Sequence, residues 1–120
     1  MANTAKLLKE ILAFREARDW KQFNNPKDMA LSLCLEAAEV LEHFQWKPAV
    51  EVEKYVKTHR KEIGEEIVDV LYWVILIAND LDIDLEKAFM AKMRKNKKKY
   101  PAMKFKGKHP LKTRNGIKAK

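Results

Sequence analysis

The 120-residue sequence predicts an all-α bundle of four or five helices, and three observations point there. Only three glycines and four prolines interrupt a chain rich in alanine, leucine, glutamate and lysine, which form helices readily. Apolar residues recur at the three-to-four spacing of a helix face. No repeat and no strand-like alternation is visible. The length suits one domain, and a 47% hydrophobic with a 35% charged fraction suits a folded chain over a disordered one.

Residues from about Thr4 to Ala17 read as an amphipathic helix. Leu8, Ile11, Leu12 and Arg15 mark one side, and Leu7, Ile11 and Phe14 widen the apolar stripe. A polar connection follows with two exposed-looking aromatics, Trp20 and Phe23. Asn25-Pro26 then starts a second helix: Asn as cap, Pro at the first helical position, and Asp28 where the helix dipole favours an acid. It runs to about Phe44, and Gln45-Trp46-Lys47-Pro48 closes it. A third helical pattern covers roughly Val50 to Leu81, wet in its first half and dry in its second. Gly64 near the change is the expected kink or break. Asp84 is placed to cap a last helix, Leu85 to about Lys99, with Leu85, Ala88, Phe89 and Met93 on its apolar side. Tyr100-Pro101 ends it. From Ala102 onward the residues lack helical periodicity and suggest a loose tail, partly docked by Met103 and Phe105. The expected organisation is a domain over residues 1–101 and a basic, flexible tail over 102–120.

The net charge of +8 is unevenly spread: no Asp or Glu follows Glu86, while Lys and Arg crowd from Lys92 to Lys120. Such a run can attract nucleic acid, an anionic membrane or an anionic small substrate, or serve solubility alone. The single cysteine, Cys34, excludes an internal disulfide, suits a reducing cytoplasm and reads as a small buried hydrophobe. MANTAKLLKEIL has no long apolar core of a secretory signal. The longest apolar run contains Asp69 and falls short of a bilayer span. The expectation is a soluble, cytoplasmic protein with no membrane contact.

Two apolar helices carry acids in an i, i+3 pattern. Glu36 and Glu39 lie within Ala30 to Trp46, and Glu66 precedes Asp69, the one charge in Ile67 to Ala78. Each pair projects from one face. Helices this apolar are expected to be enclosed, and enclosed carboxylates must neutralise, pair or bind a cation. The acids of Glu51 to Lys61 read instead as a solvated face, and neither apolar run contains a cation that could pair with its acids. An all-oxygen set favours Mg²⁺, with Mn²⁺ as a substitute, over zinc or iron. A di-iron bundle would carry Glu-x-x-His on two helices, and none occurs, so His43, His59 and His109 read as non-ligands. Four carboxylates exceed the charge of one divalent cation, which points to several Mg²⁺ ions or to a Mg²⁺-loaded phosphate ligand. Lys92, Asn96 and Lys99 give one cationic and amide face for phosphates, and Trp20, Trp46 and Trp73 could stack on a base.

The ordered series is similar to the MazG-like, all-α nucleoside triphosphate pyrophosphohydrolases, and resembles their dCTP pyrophosphatase branch. It comprises Arg18-Asp19-Trp20, Gln22-Phe23, Pro26, Glu36-x-x-Glu39, Phe44-Gln45-Trp46-Lys47, Glu65-Glu66, Asp69-Val70-Leu71, Lys92-Met93, Asn96 and Tyr100-Pro101. The resemblance covers about Leu8 to Pro101. It implies hydrolysis of a (deoxy)nucleoside triphosphate, dCTP or a modified pyrimidine nucleotide among the candidates, to monophosphate and pyrophosphate. By matching positions, Glu36, Glu39, Glu66 and Asp69 hold Mg²⁺. Lys92 and Asn96 contact phosphate, and Trp20, Trp46 and Trp73 border base and sugar. Glu39 is the first choice for the acid that accepts a proton from water, with Glu36 beside it. Two positions depart from the branch: Trp73 stands for tyrosine, and Ile11 aligns with a base-pocket histidine. The resemblance also implies a homodimer or homotetramer. The competing reading is a basic helical nucleic-acid-binding module using Lys92 to Lys120, which leaves the acids unexplained.

Overall fold

The computed structural model describes residues 3–113 and 116–119. Its elements run α1 (Thr4–Ala17), a 3₁₀ turn (Lys21–Phe23), α2 (Pro26–Glu42), α3 (Ala49–Asp80), α4 (Leu85–Lys99), α5 (Ala102–Phe105), β1 (Pro110–Thr113) and β2 (Gly116–Ala119). They form two compact units, one ending at Ile83 and one starting at Asp84.

In the first unit α3 is the spine, and both α1 and α2 pack against it. The helix starts are capped as the sequence predicts. Asn25 Oδ1 accepts from the backbone N–H of Asp28 at 2.9 Å, with Pro26 opening the helix. The core is Ile11, Met29, Ile63, Ile75, Leu76 and Ala78. One charged side chain joins it: Arg15, 4% exposed, forks onto Asp80 at 2.6 and 3.0 Å and so ties α1 to the end of α3. Arg15 lies on the side of α1 marked by Leu8 and Ile11, and its charge is buried there with Asp80 as partner.

Three expectations are corrected. The break in α3 falls at His59, which has φ −124° and ψ 21°, and Gly64 lies inside the helix. His59 Nδ1 lies 2.8 Å from Thr58 Oγ1 and 3.1 Å from the Tyr55 carbonyl oxygen, and its ring stacks on Tyr55 at 3.9 Å. A side chain bonding back into the helix locates the irregularity better than a permissive glycine does. The apolar faces of α2 and α3 are not enclosed either. Leu31, Leu35, Ile67 and Val68 are each more than half exposed, and Cys34 is exposed rather than buried. Three helices cannot cover two of their number all round. Lastly, the C-terminal stretch read as aperiodic has regular backbone. Pro101 starts α5, Phe105 meets Tyr100 edge-on at 5.4 Å, and β1 pairs antiparallel with β2 from Pro110↔Ala119 to Thr113↔Gly116. Strands of four residues are too short to show alternation. Met103, expected to help dock this region, is fully exposed.

In the second unit Asp84 caps α4 by accepting from the Lys87 N–H at 3.0 Å, as expected. Among the described residues no helix is long and apolar enough to cross a membrane.

Candidate metal centre

Helix spacing puts Glu36 and Glu39 one turn apart on α2, and Glu66 and Asp69 one turn apart on α3. Packing of α2 on α3 joins the pairs: one carboxylate oxygen from each of the four lies within 4.8 Å of all the others. Among the described residues no cation forms a salt bridge with them. Oε2 of Glu36 and Oε2 of Glu66 are both buried without a hydrogen-bond partner.

That crowding governs protonation. Burial first, then the charges of Glu39 and Asp69, raise the Glu36 carboxyl above the ordinary value. Glu66 is pushed up to about 7, first by the hydrogen bond it shares with Glu39, then by burial and by the neighbouring carboxylates. Both carboxyls are raised because no cation among the described residues pairs with the cluster. A hard divalent cation fits the same need. Oxygens on opposite sides of such an ion stand about 4–5 Å apart, and four carboxylates with two orphaned oxygens provide hard donors at that span.

The acids are less sealed than expected. Glu36 and Glu66 are half-buried, while Glu39 and Asp69 are exposed. The reason is the uncovered apolar surface around them: the four form the rim of a site rather than a closed cage. His43 and His59 are not part of the cluster. His43 Nδ1 lies 2.7 Å from the Tyr55 hydroxyl, within an aromatic group that includes Phe44 and His59.

A cavity of about 650 Å³ adjoins the carboxylates through Asp69. Its walls include Ile11, Phe14, Trp20, Asn24, Tyr72 and Trp73. The rings meet edge-on, Phe14 with Trp20 at 5.6 Å, Phe14 with Tyr72 at 6.2 Å and Tyr72 with Trp73 at 5.1 Å. Arg18 lays its guanidinium 3.8 Å over Phe14. Burial pushes the Tyr72 phenol upward, against the lowering effect of Arg15 and Arg18.

Of the tryptophans singled out in the sequence, Trp20 and Trp73 line this cavity. Trp46, past the end of α2 and 86% exposed, does not. Lys92 and Asn96 lie on α4 in the second unit. Lys92 is exposed, and Asn96 sends its Nδ2 to the Met93 sulfur at 3.9 Å. Sequence reasoning missed Phe14, Tyr72 and Asn24 as cavity residues. Two of them carried a signal: Phe14 is one turn past Ile11, and Tyr72 one turn past Asp69.

Residues 31–109 match the MazG-like family. The chain is 36% identical to dCTP pyrophosphatase 1 of Bos taurus over 90 residues, 73% of this chain and 53% of that protein. It is 36% identical to dCTP pyrophosphatase 1 of Homo sapiens over 91 residues, 74% of this chain and 54% of that protein. The chain thus spans about half the length of these curated relatives. A crystal structure of a pyrophosphatase from Archaeoglobus fulgidus DSM 4304 superposes with a TM-score of 0.78 at 34% identity, covering 84% of this chain and 94% of that one. By family match and by fold, this chain belongs to the MazG-like family.

Proposed function

We propose that the protein hydrolyses a (deoxy)nucleoside triphosphate to the monophosphate and pyrophosphate. The observation that carries this reading is the cluster of four carboxylates, with no cationic partner among the described residues, sharing Asp69 with an aromatic-walled cavity. Glu36, Glu39, Glu66 and Asp69 hold Mg²⁺, or Mn²⁺ in its place. When bound, the ion supplies charge neutralisation for the phosphates and lowers the pKa of water. Glu39, exposed on the rim, accepts the proton of the attacking water, with Glu36 beside it as the second acid in reach. Trp20 and Trp73 stack against the base from the cavity walls. Roles for Trp46 at the sugar and for Lys92 and Asn96 at the phosphates rest on the family resemblance.

The names of the curated relatives support dCTP and modified pyrimidine nucleotides as substrates to try first. We assign the catalytic domain to residues 1–101, residues 102–120 to a basic appendage, and the protein to the cytoplasm. The exposed apolar residues of α2 and α3, Leu31, Leu35, Ile67 and Val68, are more than an isolated small domain is expected to leave in water. We assign them to contact with a second copy, in a homodimer or homotetramer. Binding of nucleic acid through the basic C-terminal residues is not favoured, because it leaves the carboxylate cluster without a role.

The test is turnover of individual triphosphates in ¹⁸O-labelled water with Mg²⁺ present or withheld. Label on the monophosphate, with pyrophosphate as co-product, is the expected result. Orthophosphate as the first product from an intact triphosphate overturns the assignment.

A further inference from the structure

Asn24 sits in the cavity wall, half-buried, just after the 3₁₀ turn. Its Oδ1 accepts from Arg15 Nη1 at 3.4 Å, and the same Nη1 donates to Asp80 Oδ2 at 2.6 Å. This contact fixes which way the amide faces. A guanidinium has donors only, so the oxygen of Asn24 must turn toward it and the NH₂ group must turn away. Arg15 cannot easily swing to release the amide, because it is 4% exposed and its second nitrogen is held by Asp80 Oδ1 at 3.0 Å. The Asn24 Nδ2 donor has no hydrogen-bond partner among the described residues. Asn24 borders both the aromatic cavity and the polar hollow that holds Arg15, Lys21 and Asp80. With its oxygen turned to Arg15, its donor is open and available to an acceptor on a molecule that enters the aromatic cavity.

We infer that Asn24 is a specificity residue: its amide N–H donates to a ring-nitrogen or carbonyl acceptor on the edge of the base held in the cavity. The inference rests on the reading that the cavity takes a nucleobase. The aromatic walls contribute contact that any base can use. A fixed donor distinguishes bases by where their acceptors lie, and a site built around such a bond rejects a partner lacking the acceptor far more strongly than an apolar wall does.

Asn24→Asp tests this with little change of shape. The carboxylate still accepts from Arg15 but offers an acceptor where the amide offered a donor. Because Trp20 and Trp73 line the cavity, their fluorescence reports binding without metal or turnover. The probes are the four natural deoxynucleosides and the difluorotoluene deoxynucleoside, a pyrimidine-shaped isostere without strong acceptors. Asn24→Asp should weaken the best-bound natural nucleoside by about tenfold or more, while the isostere changes by less than about twofold. Equal weakening of both, or of neither, overturns the inference, as does failure of wild-type protein to bind any natural nucleoside. Asn24→Leu, which removes the amide without adding charge, must show the same selective loss. If its loss is unselective, Asn24 is structural. Hydrolysis of the matching triphosphates is read separately. A wild-type protein that binds nucleosides with this selectivity but cleaves no triphosphate removes the proposed function and leaves the role of Asn24 standing.

Discussion

Carboxylates are handled in two opposite ways inside the first unit. At the end of α3, Asp80 meets a buried guanidinium, and the hydrogen bonds from Arg15 hold its carboxyl below the usual range despite burial. Further back along the same helix, Glu66 and Asp69 meet two more acids on α2 and no cation among the described residues, and the Glu36 and Glu66 carboxyls rise instead. Burial acts in the same direction at both places. The difference is the partner: one cluster is complete within the chain and belongs to the fold, while the other is completed only by protons or by a cation from solution.

The contrast is broken most sharply by removing one acid from the incomplete cluster. Glu39→Gln and Asp69→Asn should each abolish pyrophosphate release, read in a coupled assay with Mg²⁺. Metal-free stability should stay level or rise, because a like charge has been removed from a crowded set. Wild-type protein should gain about 2.7 kcal/mol at Mg²⁺ concentrations a hundredfold above Kd, and these variants much less. A large loss of metal-free melting temperature in either variant would mean that the acids hold the helices together rather than an ion.

At the complete cluster the sign reverses. Arg15→Ala leaves Asp80 and Asn24 without their donor in a part-buried setting. It should cost about 3–5 kcal/mol, as breaking one side of a buried ion pair does. Urea denaturation in metal-free buffer measures this. A change under about 1 kcal/mol would place the pair with weak surface bridges.

The two clusters were unequally legible in the sequence. The four acids announced themselves because each pair sits at i, i+3 within an apolar run, so local spacing already implies a shared face. The Arg15–Asp80 pair spans 65 positions, and nothing local to either residue marks the other. The helices were legible for the same local reason: Asn25-Pro26, Asp84 and Pro101 act on their own neighbours. What could not be read was how much of α2 and α3 the rest of the chain covers. Leu31 and Val68 look like core by composition, and only the count of packed helices leaves them in water. The break at His59 was hidden because it depends on a ring reaching back to Tyr55, whereas Gly64 merely permits a bend.

A pH series compares the clusters without mutation. Glu36 and Glu66 bind protons more tightly folded than unfolded, so the folded state holds extra protons above the ordinary value of 4.5, and at Glu66 it does so up to about 7. Their contribution is fully present below the ordinary value and is lost as pH rises through the raised values, about 7 for Glu66. Asp80, held low, contributes above the ordinary value of 3.8 and loses its contribution as pH falls below it. Metal-free protein should therefore lose stability from about pH 5 to pH 8, and Mg²⁺ should flatten or reverse that slope. A metal-free melting temperature that climbed across this interval would contradict the raised carboxyls.

The smallest expected effect tests the register of α3. Glu65 is the immediate neighbour of Glu66, but one helical residue turns the side chain by about 100°, away from the face shared with Asp69. It is exposed and lies outside the four-acid cluster. Glu65→Gln removes the same charge from the same turn of α3 as Glu66→Gln does, so any long-range effect of charge is matched between the two. Glu65→Gln should leave stability within about 0.5 kcal/mol, keep the Mg²⁺-induced rise in melting temperature, and retain most of the turnover. Glu66→Gln should lose both. If the outcomes were exchanged, α3 would have to be rotated by one residue, which would also move Asp69 away from the cavity and Trp73 off its wall.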